Sequence, residues 1–190
     1  MKYSLLTLAL ICNLCLAEAM QGFGARYYDE DTETYAEVHK TDKNLIPVIR
    51  IDNHNYQMEG STLDDIAALV GVKVNRDEQS TWICLESKGI NYWFISDSVM
   101  GHGDLTAIAM AKDTADCTAY RRELSIYINA PLLASEEEIT AYFSSKPKKD
   151  IVMYYSDTNM LAEYVQSNSI QYYLKDKHVE GVFISQLTTN

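Results

Sequence analysis

A short polar segment between two apolar runs holds the side chains of this sequence that are best suited to chemistry. Asp97, His102 and Asp104 supply two carboxylates and an imidazole close together in the chain. Such a set suits a metal with oxygen and nitrogen ligands, or a histidine general base oriented by an acid. A glycine stands on each side of His102, however, and aspartate is a common turn residue. The segment therefore favours a polar turn, with a catalytic or metal-binding role for these three side chains as the alternative.

The cysteines indicate a crosslink and not a nucleophile. Of the 4 cysteines, Cys12 and Cys15 lie in an apolar leader, which leaves Cys84 and Cys117 in the remainder of the chain. Cys84 lies in a run of apolar residues, where loss of solvation disfavours the thiolate that a nucleophile needs. We therefore predict a disulfide between Cys84 and Cys117.

The sequence contains no complete motif for nucleotide, metal or covalent catalysis. It has no dinucleotide or phosphate loop, no serine elbow, no His-Glu-x-x-His and, beyond the leader, no Cys-x-x-Cys. The acidic run Asp29–Glu33 could offer oxygen ligands to calcium, but it does not match the EF-hand pattern. We expect no cofactor and no bound metal.

The first 19 residues have the form of a secretory signal peptide. Lys2 gives the basic start, Leu5–Leu16 the apolar core, and Ala17-Glu18-Ala19 the small-x-small cleavage signature. The apolar core is shorter than the span of about 20 residues that a bilayer requires. We predict cleavage after Ala19, no stable membrane anchor afterwards, and a periplasmic or secreted product. An uncleaved anchor and lipidation of a leader cysteine are the alternatives.

Charge limits the possible partners. The chain carries a net charge of −11, and loss of the leader leaves this unchanged because the leader holds one base and one acid. Such a surface repels phosphate backbones and anionic lipid. We therefore expect no nucleic acid partner, and we expect a basic protein to be favoured.

Composition divides the remaining chain into an arm and a domain. Residues 20–44 are polar and acidic, so burial offsets little of their ordering entropy, and we predict a mobile N-terminal arm. Residues 45–190 have the length and apolar content of a single globular domain.

The centre of that domain predicts a meander of three strands over about residues 80–111. The runs Ser80–Leu85, Ile90–Ser96 and Leu105–Ala111 favour strands, and the first two are separated by a hairpin turn. Four consecutive bulky residues, Tyr92-Trp93-Phe94-Ile95, predict a central strand that is buried on both faces.

Shorter elements are predicted on either side of the meander. Ile46–Ile51 predicts a strand near a sheet edge, and a helix follows with Ser61 as its cap and Gly71 at its end. Ser135 and Glu138 form a capping box that starts a second helix.

The last third predicts strands around one further helix. Ile151–Tyr155 and Val182–Ile184 favour strands, and Thr158–Gln166 favours a helix with a buried apolar stripe. The sequence thus predicts an α+β fold, mainly an antiparallel sheet, with two to three short helices packed on it.

Three functions fit these observations. The first is a small acidic binding protein, an inhibitor or immunity-type factor for a basic envelope-acting protein, because acidic and tyrosine-bearing loops suit protein contacts. The second is a secreted hydrolase or metal-dependent enzyme that uses Asp97, His102 and Asp104. The third is an envelope glycan-binding or adhesion module that uses some of the 14 tyrosines. The first is favoured, so we expect a protein that is not an enzyme.

Overall fold

The computed structural model describes residues 19–29, 35–98, 101–159 and 163–189. The predicted leader lies outside these residues, except for Ala19. The strands are β1 (Glu37–Lys40), β2 (Val48–Ile51), β3 (His54–Tyr56), β4 (Asn75–Arg76), β5 (Ser80–Ser87), β6 (Ile90–Asp97), β7 (Ala107–Ala111), β8 (Thr118–Ala119), β9 (Leu124–Tyr127), β10 (Ile151–Asn159), β11 (Val165–Lys175) and β12 (His178–Thr189).

The helices are short. A 3₁₀ helix spans Gly22–Tyr28, α1 spans Leu63–Val70 and α2 spans Glu136–Phe143. No helix within the described ranges is long and apolar enough to cross a membrane.

Two sheets organise the described residues. A mixed sheet of nine strands has the order β1-β10-β11-β12-β7-β6-β5-β4, with β8 beside β5, and a second sheet of three strands has the order β3-β2-β9. The pairs β1–β10 and β5–β8 are parallel, and the other pairs are antiparallel. The α+β-like character is confirmed, whereas the large sheet is mixed and not purely antiparallel.

The predicted meander is confirmed as β5, β6 and β7, which pair in chain order. The inner six residues of β6 are buried, as are all five residues of β7. The bulky run in β6 thus fills both faces of the sheet at its centre.

Three local predictions are corrected. Thr62, and not Ser61, caps α1 by accepting a hydrogen bond from Asp65 N at 3.1 Å. Strand β2 is not at an edge but lies between β3 and β9. The helix predicted over residues 158–166 is wrong, because β10 runs through Thr158 and pairs along its whole length with β11.

The physical reason for the last correction is tertiary. A short apolar stripe favours a helix only weakly in isolation, and continuous pairing of β10 with β11 satisfies the backbone instead. Residues 160–162 of the predicted helix lie outside the described part of the chain. The capping box of Ser135 and Glu138 is confirmed at the start of α2.

The nine-stranded sheet separates two apolar clusters. The larger cluster lies between one face of this sheet and α1, α2 and the three-stranded sheet; Ile66, Ile139, Ile49, Phe94 and Tyr172 are among its members. The smaller cluster lies on the opposite face and includes Trp82, Trp93, Tyr173 and Phe183 from the sheet. Successive strand residues point to opposite faces, which explains why Tyr172 and Tyr173 belong to different clusters.

The 3₁₀ helix covers part of the smaller cluster. The Phe23 side chain is 6% exposed, and its ring centroid lies 5.1 Å from those of Tyr173 and Phe183. A Cβ atom at Gly181 would lie 2.6 Å from the Phe23 ring, so the ring needs a glycine beneath it. The predicted mobile arm therefore begins with a docked segment, because one buried aromatic ring supplies apolar contact area that its polar neighbours do not.

Replacement of Phe23 by alanine tests this docking. We expect F23A to lower the free energy of unfolding by about 3 kcal/mol, because it leaves a cavity against the sheet. Chemical denaturation measures the change, and Y127A is the control, since Tyr127 is 67% exposed. Equal effects of the two substitutions would contradict the docking.

A cleft walled by tyrosines and carboxylates

The polar segment after β6 is a compact turn. Gly101 N donates to the Asp97 carbonyl oxygen at 2.9 Å, and Asp104 N donates to the Gly101 carbonyl oxygen at 2.8 Å. His102 has a φ of 50°, in the left-handed region, and it is exposed. These backbone contacts fit the turn interpretation. Residues 99 and 100 lie outside the described residues.

The structure does not gather the three candidate side chains into one centre. The Asp97 carboxylate accepts a hydrogen bond from Tyr27 Oη at 2.9 Å, whereas Asp104 forms an isolated β-bridge with Thr62. In the ranges the structure describes, no group of three or more His, Cys, Asp or Glu residues could hold a metal ion. A catalytic role for Asp97, His102 and Asp104 stays a prediction.

Asp97 instead lines a large cleft in the described part of the chain. The cleft has a volume of about 980 Å³ and lies on the face of the nine-stranded sheet that the 3₁₀ helix covers only in part. Neither His102 nor Asp104 lines it. Its lining includes Arg26, Tyr27, Tyr28, Asp29, Val38, Glu78, Gln79, Asp97, Met153, Ser169, Gln171, Tyr173, Phe183 and Ser185.

Two tyrosine–carboxylate contacts hold one side of the cleft. Tyr27 donates to Asp97, and Tyr28 donates to Asp77 and lies 2.7 Å from Ser80 Oγ. Burial, together with the hydrogen bond to the neighbouring carboxylate, raises the pKa of both tyrosines well above the ordinary value. Both hydroxyls therefore remain protonated donors at neutral pH, and they orient the carboxylates at this side.

This side of the cleft is negatively charged. We call Asp29, Glu78 and Asp97 the acidic wall. Arg26 is the basic residue of the lining. Its guanidinium lies 4.9 Å from the Tyr173 ring centroid and 3.5 Å from a Glu180 carboxylate oxygen. The acidic wall therefore outnumbers the nearby base, and that base has an acidic neighbour of its own.

The floor of the cleft is formed by the sheet. Val38, Met153, Gln171 and Phe183 are register partners on β1, β10, β11 and β12. A second row contains Ser169 and Ser185, whose Oγ atoms lie 2.7 Å apart. We call the two rows the sheet floor, in which one row is mainly apolar and the other carries small hydroxyl side chains.

The predicted disulfide lies at the end of the loop whose Asp113 contacts the 3₁₀ helix. Cys84 and Cys117 lie at bonding distance, with their Cα atoms 4.9 Å apart, which confirms the predicted pair. It anchors the loop that contains Asp113. The Asp113 carboxylate accepts from Phe23 N and from Asn91 Nδ2, each at 2.6 Å. The loop between β7 and the disulfide thus fixes the start of the helix that ends at Tyr27 and Tyr28.

Sequence reasoning identified only part of this cleft. The sequence singles out Asp97 as a turn residue or catalytic candidate, but its partner Tyr27 lies 70 positions away in the chain. Their contact depends on how the 3₁₀ helix docks across the sheet. The doubled tyrosine ahead of an acidic run is the signal that pointed closest to it.

Comparisons with known proteins identify no relative. No protein-family model matches the chain, and no curated protein or solved structure matches it significantly.

Removal of the Tyr27 hydroxyl tests the tyrosine–carboxylate contact. We expect Y27F to lower the free energy of unfolding by about 1 kcal/mol at neutral pH, because Asp97 loses a donor. The pKa of Tyr27 is raised on folding, so its stabilisation is complete below the unfolded value of about 10 and is lost as pH rises above it. Denaturation over an alkaline pH series should therefore show the two proteins converging. A constant difference would contradict the raised pKa.

Replacement of His102 by glycine tests the turn interpretation. Relief of the left-handed φ should leave stability unchanged or raise it by up to about 1 kcal/mol. Lys88 is the matched control, since it has a φ of 55° in an exposed hairpin turn and lies far from any candidate chemistry in sequence. If H102G destabilises the protein in thermal unfolding and K88G does not, the imidazole makes stabilising contacts and the plain turn interpretation is wrong.

Proposed function

We propose that this chain is an exported acidic binding protein that engages a basic partner at the cleft. The observation that carries the proposal is the placement of Asp29, Glu78 and Asp97 around one cleft of about 980 Å³ in a chain of net charge −11. An inhibitor or immunity-type factor for a basic envelope-acting protein is the role that this combination suits.

Long-range attraction supports this choice of partner. A net negative surface steers cations toward the protein, and a concave site lined by carboxylates focuses the field. The Tyr27–Asp97 contact keeps one carboxylate in place before a partner arrives, so less ordering is needed on binding.

The leader and the disulfide support an exported location. Lys2, Leu5–Leu16 and the Ala17-Glu18-Ala19 signature have the order of a cleaved signal peptide. The Cys84–Cys117 pair is stable in oxidising compartments such as the periplasm or the extracellular space.

Glycan recognition has less support at this cleft. Sugar-binding sites use exposed aromatic faces, whereas Tyr173 is 2% and Phe183 8% exposed here. Both hydroxyls of Tyr27 and Tyr28 contact carboxylates. These rings therefore pack within the cleft walls and floor, and they do not offer an open face on which a sugar could stack.

Charge removal at the acidic wall tests the proposal. The double variant D97N/E78Q keeps the hydrogen-bond acceptor for Tyr27 and removes two charges. We expect it to weaken binding of a blocked octalysine peptide by about five- to tenfold at low ionic strength. Isothermal titration calorimetry at low and high salt measures the effect, which should diminish as salt screens the charges.

The matched control is E123Q/D176N, which removes the same charge from residues outside the cleft lining. It should change affinity much less than D97N/E78Q does. If both double variants weaken binding equally, the overall charge of the protein attracts the peptide and the cleft is not its site.

A further inference from the structure

The sheet floor points to a more specific ligand than a basic protein in general. This step rests on the proposed function and concerns the same cleft. Val38 is 49% exposed, and its register partner Met153 lies beside it on the lining. A site for a simple cation would not need this apolar surface. Apolar surface stabilises a complex when aliphatic groups of the ligand are buried against it.

The second row of the sheet floor, here called the serine row, carries small side chains beside the mainly apolar first row. Ser169 and Ser185 are register partners with small side chains, so a ligand side chain has room above them. Gln171, in the neighbouring row, donates through Nε2 to Tyr173 Oη at 2.9 Å, which leaves Oε1 as the acceptor for a ligand N–H group. Hydroxyl and amide groups on a sheet surface suit the polar backbone of a peptide.

The serine row also leads to the acidic wall. Ser185 pairs with Ala107, and Ala107 pairs with Ile95 on β6. Asp97 follows Ile95 by two residues on the same strand, and so it projects from the same face of the sheet. A side chain that lies along this row approaches the Asp97 carboxylate.

The cleft has the capacity for such a ligand. Its volume of about 980 Å³ is near the upper end of the range for small-molecule sites, about 300–1,000 Å³. Its floor crosses four adjacent strands, β1, β10, β11 and β12. Neighbouring strands are about 4.8 Å apart, so an extended chain has several side-chain positions above this floor.

We infer that the cleft holds an extended segment of the partner's polypeptide chain. Its aliphatic side chains lie on Val38 and Met153, and a lysine or arginine side chain extends over Ser169 and Ser185 to the acidic wall. Recognition thus combines apolar contact, backbone hydrogen bonds and charge. The specific ligand class is a basic peptide in which cationic and aliphatic residues alternate.

Peptide order tests this inference. The probe is a blocked octapeptide that alternates lysine and valine, compared by calorimetry with a peptide of the same composition in two blocks and with the linear polyamine spermine. We expect the alternating peptide to bind at least about tenfold more tightly than either comparison ligand. If the block peptide or spermine binds equally well, the cleft recognises positive charge alone and the inference is overturned.

Two exposed valines provide matched variants. V38K places a positive charge on the sheet floor, and V48K places one on the outer face of the three-stranded sheet, where Val48 is 55% exposed. We expect V38K to weaken binding of the alternating peptide by about tenfold and V48K to have little effect. Circular dichroism and thermal unfolding should show that both remain folded. Equal effects of the two substitutions overturn the inference.

The same measurements separate this inference from the function on which it rests. If D97N/E78Q weakens octalysine binding selectively while V38K and V48K behave alike, a basic partner binds the acidic wall without an extended segment on the sheet floor. If neither octalysine nor the alternating peptide binds, the proposed function and the inference both fail.

Discussion

The nine-stranded sheet carries apolar side chains on both faces, so each face needs a cover. One face receives α1, α2 and the three-stranded sheet, which enclose the larger apolar cluster. Among the described residues, the other face receives a smaller cover, in which the short 3₁₀ helix places Phe23 over Gly181. Because that helix is much smaller than the sheet, the described residues leave part of the second face uncovered. The cleft lies where the described cover ends. Its lining combines apolar side chains of the sheet with polar and charged ones.

Polar contacts hold the 3₁₀ helix on the second face of the sheet. Asp113 holds the start of the 3₁₀ helix, and Asp97 and Asp77 hold Tyr27 and Tyr28 at its end. Carboxylates thus fix the 3₁₀ helix at both ends, and one of them, Asp97, also belongs to the acidic wall. The Tyr27–Asp97 contact therefore both stabilises the helix on the second face and positions a carboxylate at the cleft. The disulfide extends this arrangement to the loop that carries Asp113.

Local patterns predicted local features, and long-range contacts lay beyond them. The bulky run in β6, the Ser135–Glu138 capping box and the cysteine pair were recognisable because each depends on a few neighbouring residues or on a single chemical type. The helix predicted over residues 158–166 was wrong because pairing with β11 outweighs a weak apolar stripe. Composition alone gave no sign that Phe23 anchors the start of a polar arm. Asp97 was a candidate, but its contact with Tyr27 depends on the docking of the 3₁₀ helix on the sheet, which no local pattern encodes.

The position of β12 within the nine-stranded sheet constrains how this protein can assemble. β12 follows every other described strand in the chain, yet it lies between β11 and β7 and joins the two halves of the sheet. The halves cannot be united before residues 178–189 have been synthesised and are free to pair. Contacts between distant parts of a chain form slowly. The topology therefore delays completion of the sheet until β12 is available to pair with both of its neighbours.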